Sequence, residues 1–280
     1  EEATCSFCAG PLRLAVRPMV AQVTLSSGRT WDVHYNISPM DPNGHYLLVP
    51  DISVASSRRR QFLTREDCED LVELGRRSEG LCINYNSPNA GASQNHIHMH
   101  AWVQNEPYSV QAHVASCPMQ ADSSNPTTVS QLGTTGSEVQ VHELKTYAAT
   151  CLRVHSGSVS DAGAAVHALV RAAPVHNVAA CGKDVFVFLR EPGTEVWTIN
   201  NGPMGVDDTA AGSQIDQSGS AGLGAKEALK LGSAQLLGRF VVDTMAQYDV
   251  AKRQGAIESA LQRTRWRGNL DELLLAVCKR

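Results

Sequence analysis

At 280 residues the chain can bury a full core, as one large domain or two modest ones. Hydrophobic residues make up 42% and charged residues 19%, which excludes a wholly disordered or fibrous chain, and no apolar run reaches membrane-spanning length. A net charge of -4, from 24 Lys+Arg against 28 Asp+Glu, gives no general electrostatic case for nucleic acid but leaves room for a local anion site.

Taken in order, the chain opens on Glu1, which reads as a trimmed or processed start. Cys5-Ser-Phe-Cys8 is a lone CxxC; a zinc site needs two further ligands, so a pair of free thiols is an equally good reading. Thr30 to Ile37 alternates through Trp31, Val33, Tyr35 and Ile37 and predicts a strand, broken by Pro39, Asp41, Pro42, Asn43 and Gly44. His45 to Pro50 predicts a short buried strand, the antiparallel neighbour of the first. Arg58, Arg59 and Arg60 read as a solvated basic loop. Thr64, with Asp67 three residues on, starts a helix whose inner face is Cys68, Leu71, Val72 and Gly75. Gly80 ends that run before a strand from Leu81 to Tyr85.

The most informative stretch follows, from Asn84 to Trp102. Asn-Ser-Pro-Asn-Ala-Gly-Ala-Ser is a turn-rich run of small residues that lets backbone amides come close to a ligand. His96, His98, His100 and Trp102 then alternate with Ile97, Met99, Ala101 and Val103. Alternate residues of a strand share a face, so a strand would set the three imidazoles in a row at intervals of about 6.6 Å and send the apolar partners to a core. On a helix the row would scatter. Amides for phosphate oxygens beside nitrogen nucleophiles for phosphorus suit phosphoryl chemistry. Trp102 reads as core, and His34, His113, His142, His155, His167 and His176 as structural histidines.

Ser116 to Ser137 is rich in Ser, Thr, Pro and Gln and reads as a surface insertion. Val139 to Val154 carries strand-like segments, and Ser160 to Ala173 a small-residue helix. Val175 to Cys181, Gly182-Lys183, and Asp184 to Arg190 form a hairpin in sequence. Gly202 to Gly224 is a second stretch dense in Gly, Ser and Ala, and Leu236 to Val242 reads as a last strand. Thr244 with Gln247 and Asn269 with Glu272 have the spacing of helix caps. The class is α+β, with antiparallel sheets and flanking helices. It divides into residues 1–115, an insertion at 116–138, and a second half at 139–280 that repeats the element order of the first. Cys68, Cys82, Cys151 and Cys278 stand beside apolar residues, the mark of a reduced interior and of an intracellular protein, cytoplasmic or organellar.

Two motifs resemble the histidine-triad superfamily, in its nucleotidyl-transferase branch and closest to the GDP-hexose phosphorylases. They are Asn36-Ile-Ser-Pro-Met-Asp-Pro-Asn-Gly-His45-Tyr-Leu-Leu-Val-Pro50, and Tyr85-Asn-Ser through Gly91-Ala-Ser to Asn95-His96-Ile-His98-Met-His100. Weaker likeness extends from Val33 to the C-terminus. The resemblance implies a histidine-triad-like fold and a covalent nucleotidyl intermediate on His98, oriented by His96. His100 would donate to a phosphate oxygen or the leaving group. Gly91, Ala92, Ser93 and Gln94 would hold the phosphate, Asn86 would pin their loop, and Asn36 and His45 would line the nucleotide cleft. A nucleotide sugar and inorganic phosphate are the implied substrates, with no metal required and a homodimer or larger assembly allowed.

Two departures bear on this. Transferases of the superfamily often carry Gln at the third triad position, where this chain has His100, so phosphorylase and hydrolase both stay open, as does dinucleoside polyphosphate phosphorolysis. Cys5 and Cys8 are similar to the zinc CxxC of hexose-1-phosphate uridylyltransferases, but Asp51-Ile-Ser supplies no further His after the Pro-ended strand. A different class of reading is a catalytically silent accessory subunit that keeps the fold without the activity.

Overall fold

The computed structural model describes residues 19–37, 39–41, 43–50, 59–116, 139–194, 196–198, 228–242 and 244–278. Cys5 and Cys8 lie outside them, as do nearly all of the two low-complexity stretches, at 117–138 and 201–227.

In the first part β1 (Met19–Thr24), β2 (Thr30–Tyr35) and β3 (His45–Pro50) lead to helix α1 (Arg65–Arg77), then β4 (Leu81–Asn86) and β5 (Met99–Val103). Helix α2 (Ser109–Ser116) closes that part. The second has β6 (Val139–Glu143), β7 (Cys151–Ser156), α3 (Val159–Ala172), β8 (His176–Cys181) and β9 (Asp184–Leu189). All nine strands form one antiparallel sheet in the order β1-β2-β3-β5-β4-β8-β9-β7-β6. A two-stranded sheet, β10 (Val196–Thr198) with β11 (Ala228–Lys230), and helices α4 (Ser233–Leu236), α5 (Met245–Ala251), α6 (Ala256–Arg263) and α7 (Leu270–Cys278) follow.

The order contains the same ββαββ unit twice, once as β2-β3-β5-β4 and again as β6-β7-β9-β8, joined at the β4–β8 ladder. Register repeats with it. His45 lies opposite Trp102 and Leu47 opposite His100 in the first unit; Cys151 lies opposite Phe188 and Arg153 opposite Phe186 in the second. Each unit's helix is capped alike. Thr64 accepts from the Asp67 amide, and Ser158 from the Asp161 amide. The second unit therefore has Cys151 and Phe186 where the first has His45 and His100.

Strand alternation decides which side chains meet which layer. Met99 and Ala101 of β5, Ile83 and Tyr85 of β4, and Val178 and Ala180 of β8 join Leu71, Val72, Val166 and Leu169 of the two helices in one core. Each such large side chain contributes roughly 1.5–3 kcal/mol on burial. Gly75 allows that layer to close, since a Cβ there would sit 2.5 Å from Ala180 Cβ. The opposite face carries Cys82, Trp102, Phe186 and Phe188 beneath Tyr108, Tyr147, Leu236 and Leu237.

Two expectations change. Leu236 to Val242 is not a strand. Residues 233–236 make a helical turn that Gly238 ends at φ +97°, with Gly238 N–H donating to Gln235 O and Arg239 N–H to Ala234 O. This glycine-terminated helix end outweighs the apolar run that suggested a strand. Nor is the basic run wholly solvated, because Arg59 makes a bidentate ion pair with the buried carboxylate of Asp67. The caps at Thr244 and Asn269 are present, each accepting from an amide three residues on. Among the described residues no helix is long and apolar enough to cross a membrane.

Candidate active site

The histidine row is only partly on a strand. His100 lies within β5, but His96 and His98 precede it. Asn84 is the last residue of β4 to pair with β5, opposite His100. One step further on, the side chain of Gln61 stands between the strands. Its Nε2 donates to Asn86 O at 2.9 Å and His98 O at 3.1 Å, and its Oε1 accepts from the His98 amide at 2.8 Å. A carboxamide thus replaces the missing ladder, so the backbone stays satisfied while the chain departs from the sheet. The neighbouring Ile97 amide donates to Arg59 O at 2.9 Å.

Hydrogen bonds fix the ring tautomers. His98 Nδ1 lies 2.7 Å from His96 O, an atom that can only accept, so His98 carries its proton on Nδ1 and a lone pair on Nε2. His96 takes part through this carbonyl. The Met40 amide, which can only donate, lies 3.1 Å from His45 Nδ1, so that proton is on Nε2. His45 Nε2–H then donates to His100 Nδ1 at 2.9 Å, which leaves His100 with its proton on Nε2. Asn36 Nδ2 lies 3.2 Å from each of the two ring nitrogens of His45. The rings of His98 and His100 are 5.1 Å apart and tilted by 74°, one offering a lone pair and the other an N–H. Trp102 stacks on His100 from below, at 6.2 Å, as part of the core. Burial pushes the His45 pKa down to about 4, with Asp41 opposing and Arg239 adding to the shift, so His45 stays neutral near pH 7.

The small-residue loop is held from behind by buried polar side chains. Asn86 Oδ1 accepts from Asn177 Nδ2 at 2.6 Å and from the Ser233 amide at 3.0 Å. It is Asn177 that reaches the loop itself, donating to Ala90 O at 2.7 Å. Asn84 donates to His100 O at 3.2 Å and accepts from Ser233 Oγ at 2.7 Å. Arg190, also buried, donates to Leu231 O at 2.6 Å and Asn177 Oδ1 at 3.2 Å. Gly91 has φ +107°, and a Cβ there would lie 3.1 Å from Gly232 Cα. Ala92, Ser93 and Gln94 follow on the same turn, with Ser93 exposed.

The structure thus gathers Asn36, His45, His98 and His100, with His96 O, and sets Asn86 and Gly91 in the network behind them. Sequence reading missed Gln61, Asn177, Arg190 and Ser233. Asn177 had a readable signal, an amide beside His176 at the start of a strand that is otherwise apolar.

No family model matches the sequence, and no curated protein matches it. Solved structures share the fold, two of them as follows. Yeast Ap4A phosphorylase Apa2 in complex with Ap4A matches with a TM-score of 0.52 at 17% identity, over 90% of this chain and 81% of that one. The same yeast enzyme in complex with AMP matches with a TM-score of 0.52 at 18% identity, over 88% and 76%. The α+β, histidine-triad-like fold expected from the sequence is the one observed.

Proposed function

We propose that the chain is a nucleotidyl-transferring phosphorylase that cleaves a nucleoside-diphosphate sugar, a GDP-hexose, through a covalent nucleotidyl-histidine on His98. The observation that supports it is the pair of opposite tautomers on adjacent rings. The His98 Nε2 lone pair attacks the α-phosphorus, the bond from that phosphorus to the bridging oxygen breaks, and hexose 1-phosphate leaves. His100 Nε2–H donates to a phosphate oxygen or to the departing one, backed by His45. The amides of Gly91 to Gln94 and the Ser93 hydroxyl hold the remaining oxygens, while Asn36 lines the nucleotide side. Inorganic phosphate then attacks the intermediate, the P–N bond breaks, and a nucleoside diphosphate is released; water in its place gives the monophosphate. The scheme asks nothing of a metal.

The hexose substrate rests on the Asn36–Pro50 and Tyr85–His100 motifs. A second reading takes dinucleoside polyphosphates as substrate, favoured by the shared fold with the yeast Ap4A phosphorylase. Incubation with nucleotide sugars and dinucleoside polyphosphates in phosphate buffer, with chromatography of the products, tests both. Nucleoside diphosphate plus hexose 1-phosphate supports the first reading, and nucleoside monophosphate in place of the diphosphate indicates a hydrolase. No product together with no nucleotide binding by calorimetry leaves a silent accessory subunit.

A further inference from the structure

The seam between the two ββαββ units carries a pair of free thiols that the proposed reaction does not use. Cys82 of β4 and Cys181 of β8 are direct partners in the ladder that joins the units. Partners across an antiparallel ladder have Cα atoms about 4.5 or 5.5 Å apart and side chains on one face, and both spacings lie within the range a disulfide spans. The two sulfurs are 3.1 Å apart, with the Cys181 thiol donating to Cys82 Sγ. A disulfide of about 2.05 Å asks each sulfur to move by roughly 0.5 Å.

Exposure separates the two sulfurs. Among the described cysteines, Cys68, Cys82 and Cys151 are 0% exposed, whereas Cys181 is 6% exposed. It is the last residue of β8, just before the turn at Gly182. Oxidant from solvent therefore reaches Cys181 first of these four. Burial, with the neighbouring thiol adding, pushes the Cys82 thiol well up, which makes Cys82 the second of the pair to react. The pair also stands at one end of the seam. On the same face, two steps along, Asn84 is opposite Ala179, and two steps further Asn86 is opposite Asn177. That second end, about 14 Å away, is held by the hydrogen bond from Asn177 to Asn86.

We propose that Cys82 and Cys181 are a redox modification site, closed by a peroxide into a disulfide that braces the two units against separation. Cys181 Sγ attacks one peroxide oxygen, the O–O bond breaks, and water leaves with the thiol proton, giving a sulfenic acid. Cys82 Sγ, already adjacent, displaces that hydroxyl as a second water with its own proton, and the S–S bond forms. Two electrons pass from the sulfur pair to the peroxide. A thiol reductant reverses the change by exchange. The site stands whether or not the chain transfers nucleotides.

The test takes the full chain, reduced and freed of reductant, into millimolar hydrogen peroxide. Digestion with trypsin and chymotrypsin puts Cys82 and Cys117 in separate peptides, because Tyr85 and Trp102 lie between them. Mass spectrometry is expected to find the Cys82 and Cys181 peptides joined, each thiol having lost one hydrogen, and to find them apart after dithiothreitol. The bond closes a loop of 99 positions, so the oxidised chain is expected to melt about 5 °C or more above the same sample after dithiothreitol. That comparison cancels methionine oxidation, which dithiothreitol leaves in place. In Cys82→Ala, which has no second sulfur, dimedone is expected to label Cys181 as the sulfenic acid; absence of that label overturns Cys181 as the sulfur first oxidised. The wild-type digest decides the linkage even where this variant does not fold. Peptides that stay separate, or either sulfur joined to a different cysteine, overturn the proposal. So does a joined form that melts no higher than the reduced one.

Discussion

Gln61 holds His98 by both ends of its peptide unit, accepting from the His98 amide at 2.8 Å and donating to its carbonyl at 3.1 Å. Gln61 is fully buried and 37 residues away in sequence. It sets the backbone from which the proposed nucleophile projects. Gln61→Ala leaves the His98 amide, the His98 carbonyl and the Asn86 carbonyl unpaired, at about 1–3 kcal/mol for each group. Thermal melting is expected to fall with turnover. Gln61→Glu keeps the acceptor but sets a buried carboxyl against two carbonyl oxygens, so it is expected to destabilise at least as much as the alanine variant and to lose kcat with it.

His98→Ala is expected to remove turnover by about 10³-fold or more while the chain stays folded. Near-normal activity in that variant would show that the nucleophile lies elsewhere. Quenching the wild-type chain with denaturant at alkaline pH after mixing with substrate, because the P–N bond of a phosphoramidate is labile in acid, is expected to leave one nucleotidyl group on the peptide containing His98 by mass spectrometry.

His45 and His176 are both buried and both held near pKa 4, chiefly by burial. Their ordinary value is 6.5, so between pH 6.5 and about 4 the unfolded chain binds protons that the folded chain refuses. Stability is therefore full above about 6.5 and falls as pH drops toward 4, by on the order of 3 kcal/mol for each histidine. Denaturant midpoints measured across that range check the slope. His176→Phe, beside Tyr85 and away from the ring cluster, is expected to remove about half of it.

Asp67 joins the helix start to the loop that carries Gln61. Burial would raise its pKa, but Arg59 outweighs that, helped by Thr64 and Arg29, and holds the carboxylate below its usual range. Asp67→Asn leaves Arg59 and Arg29 facing a neutral amide and is expected to cost about 3–5 kcal/mol. It also frees the Arg59 segment, whose carbonyl takes the Ile97 amide, so activity falls before the melt. In the wild type the contribution of this carboxylate is lost as pH falls through its lowered pKa. The variant is expected to show a flatter acid limb in denaturant titrations.

The sequence by itself determined the local elements and the chemical candidates. Alternation at Trp31 to Tyr35 and at Met99 to Trp102, the cap at Thr64, and the turn at Gly182 each depend on neighbours a few residues away, and such signals are written in order along the chain. The clustering of His98 and His100 was legible for the same reason, because residues two apart on extended backbone share a face. What no local pattern carried was the partner of each polar group. Gln61 beside His98, Asn177 beside Ala90, Arg59 on Asp67 and His45 on His100 are pairs separated by 8 to 87 positions. Only closure of the sheet brings them within hydrogen-bond reach. The proton of His98 is set locally, by His96 O two residues away, but that of His100 is set by His45, 55 positions distant. The tertiary structure therefore chose the His100 tautomer, and with it the difference between two neighbouring rings that the sequence writes with the same letter.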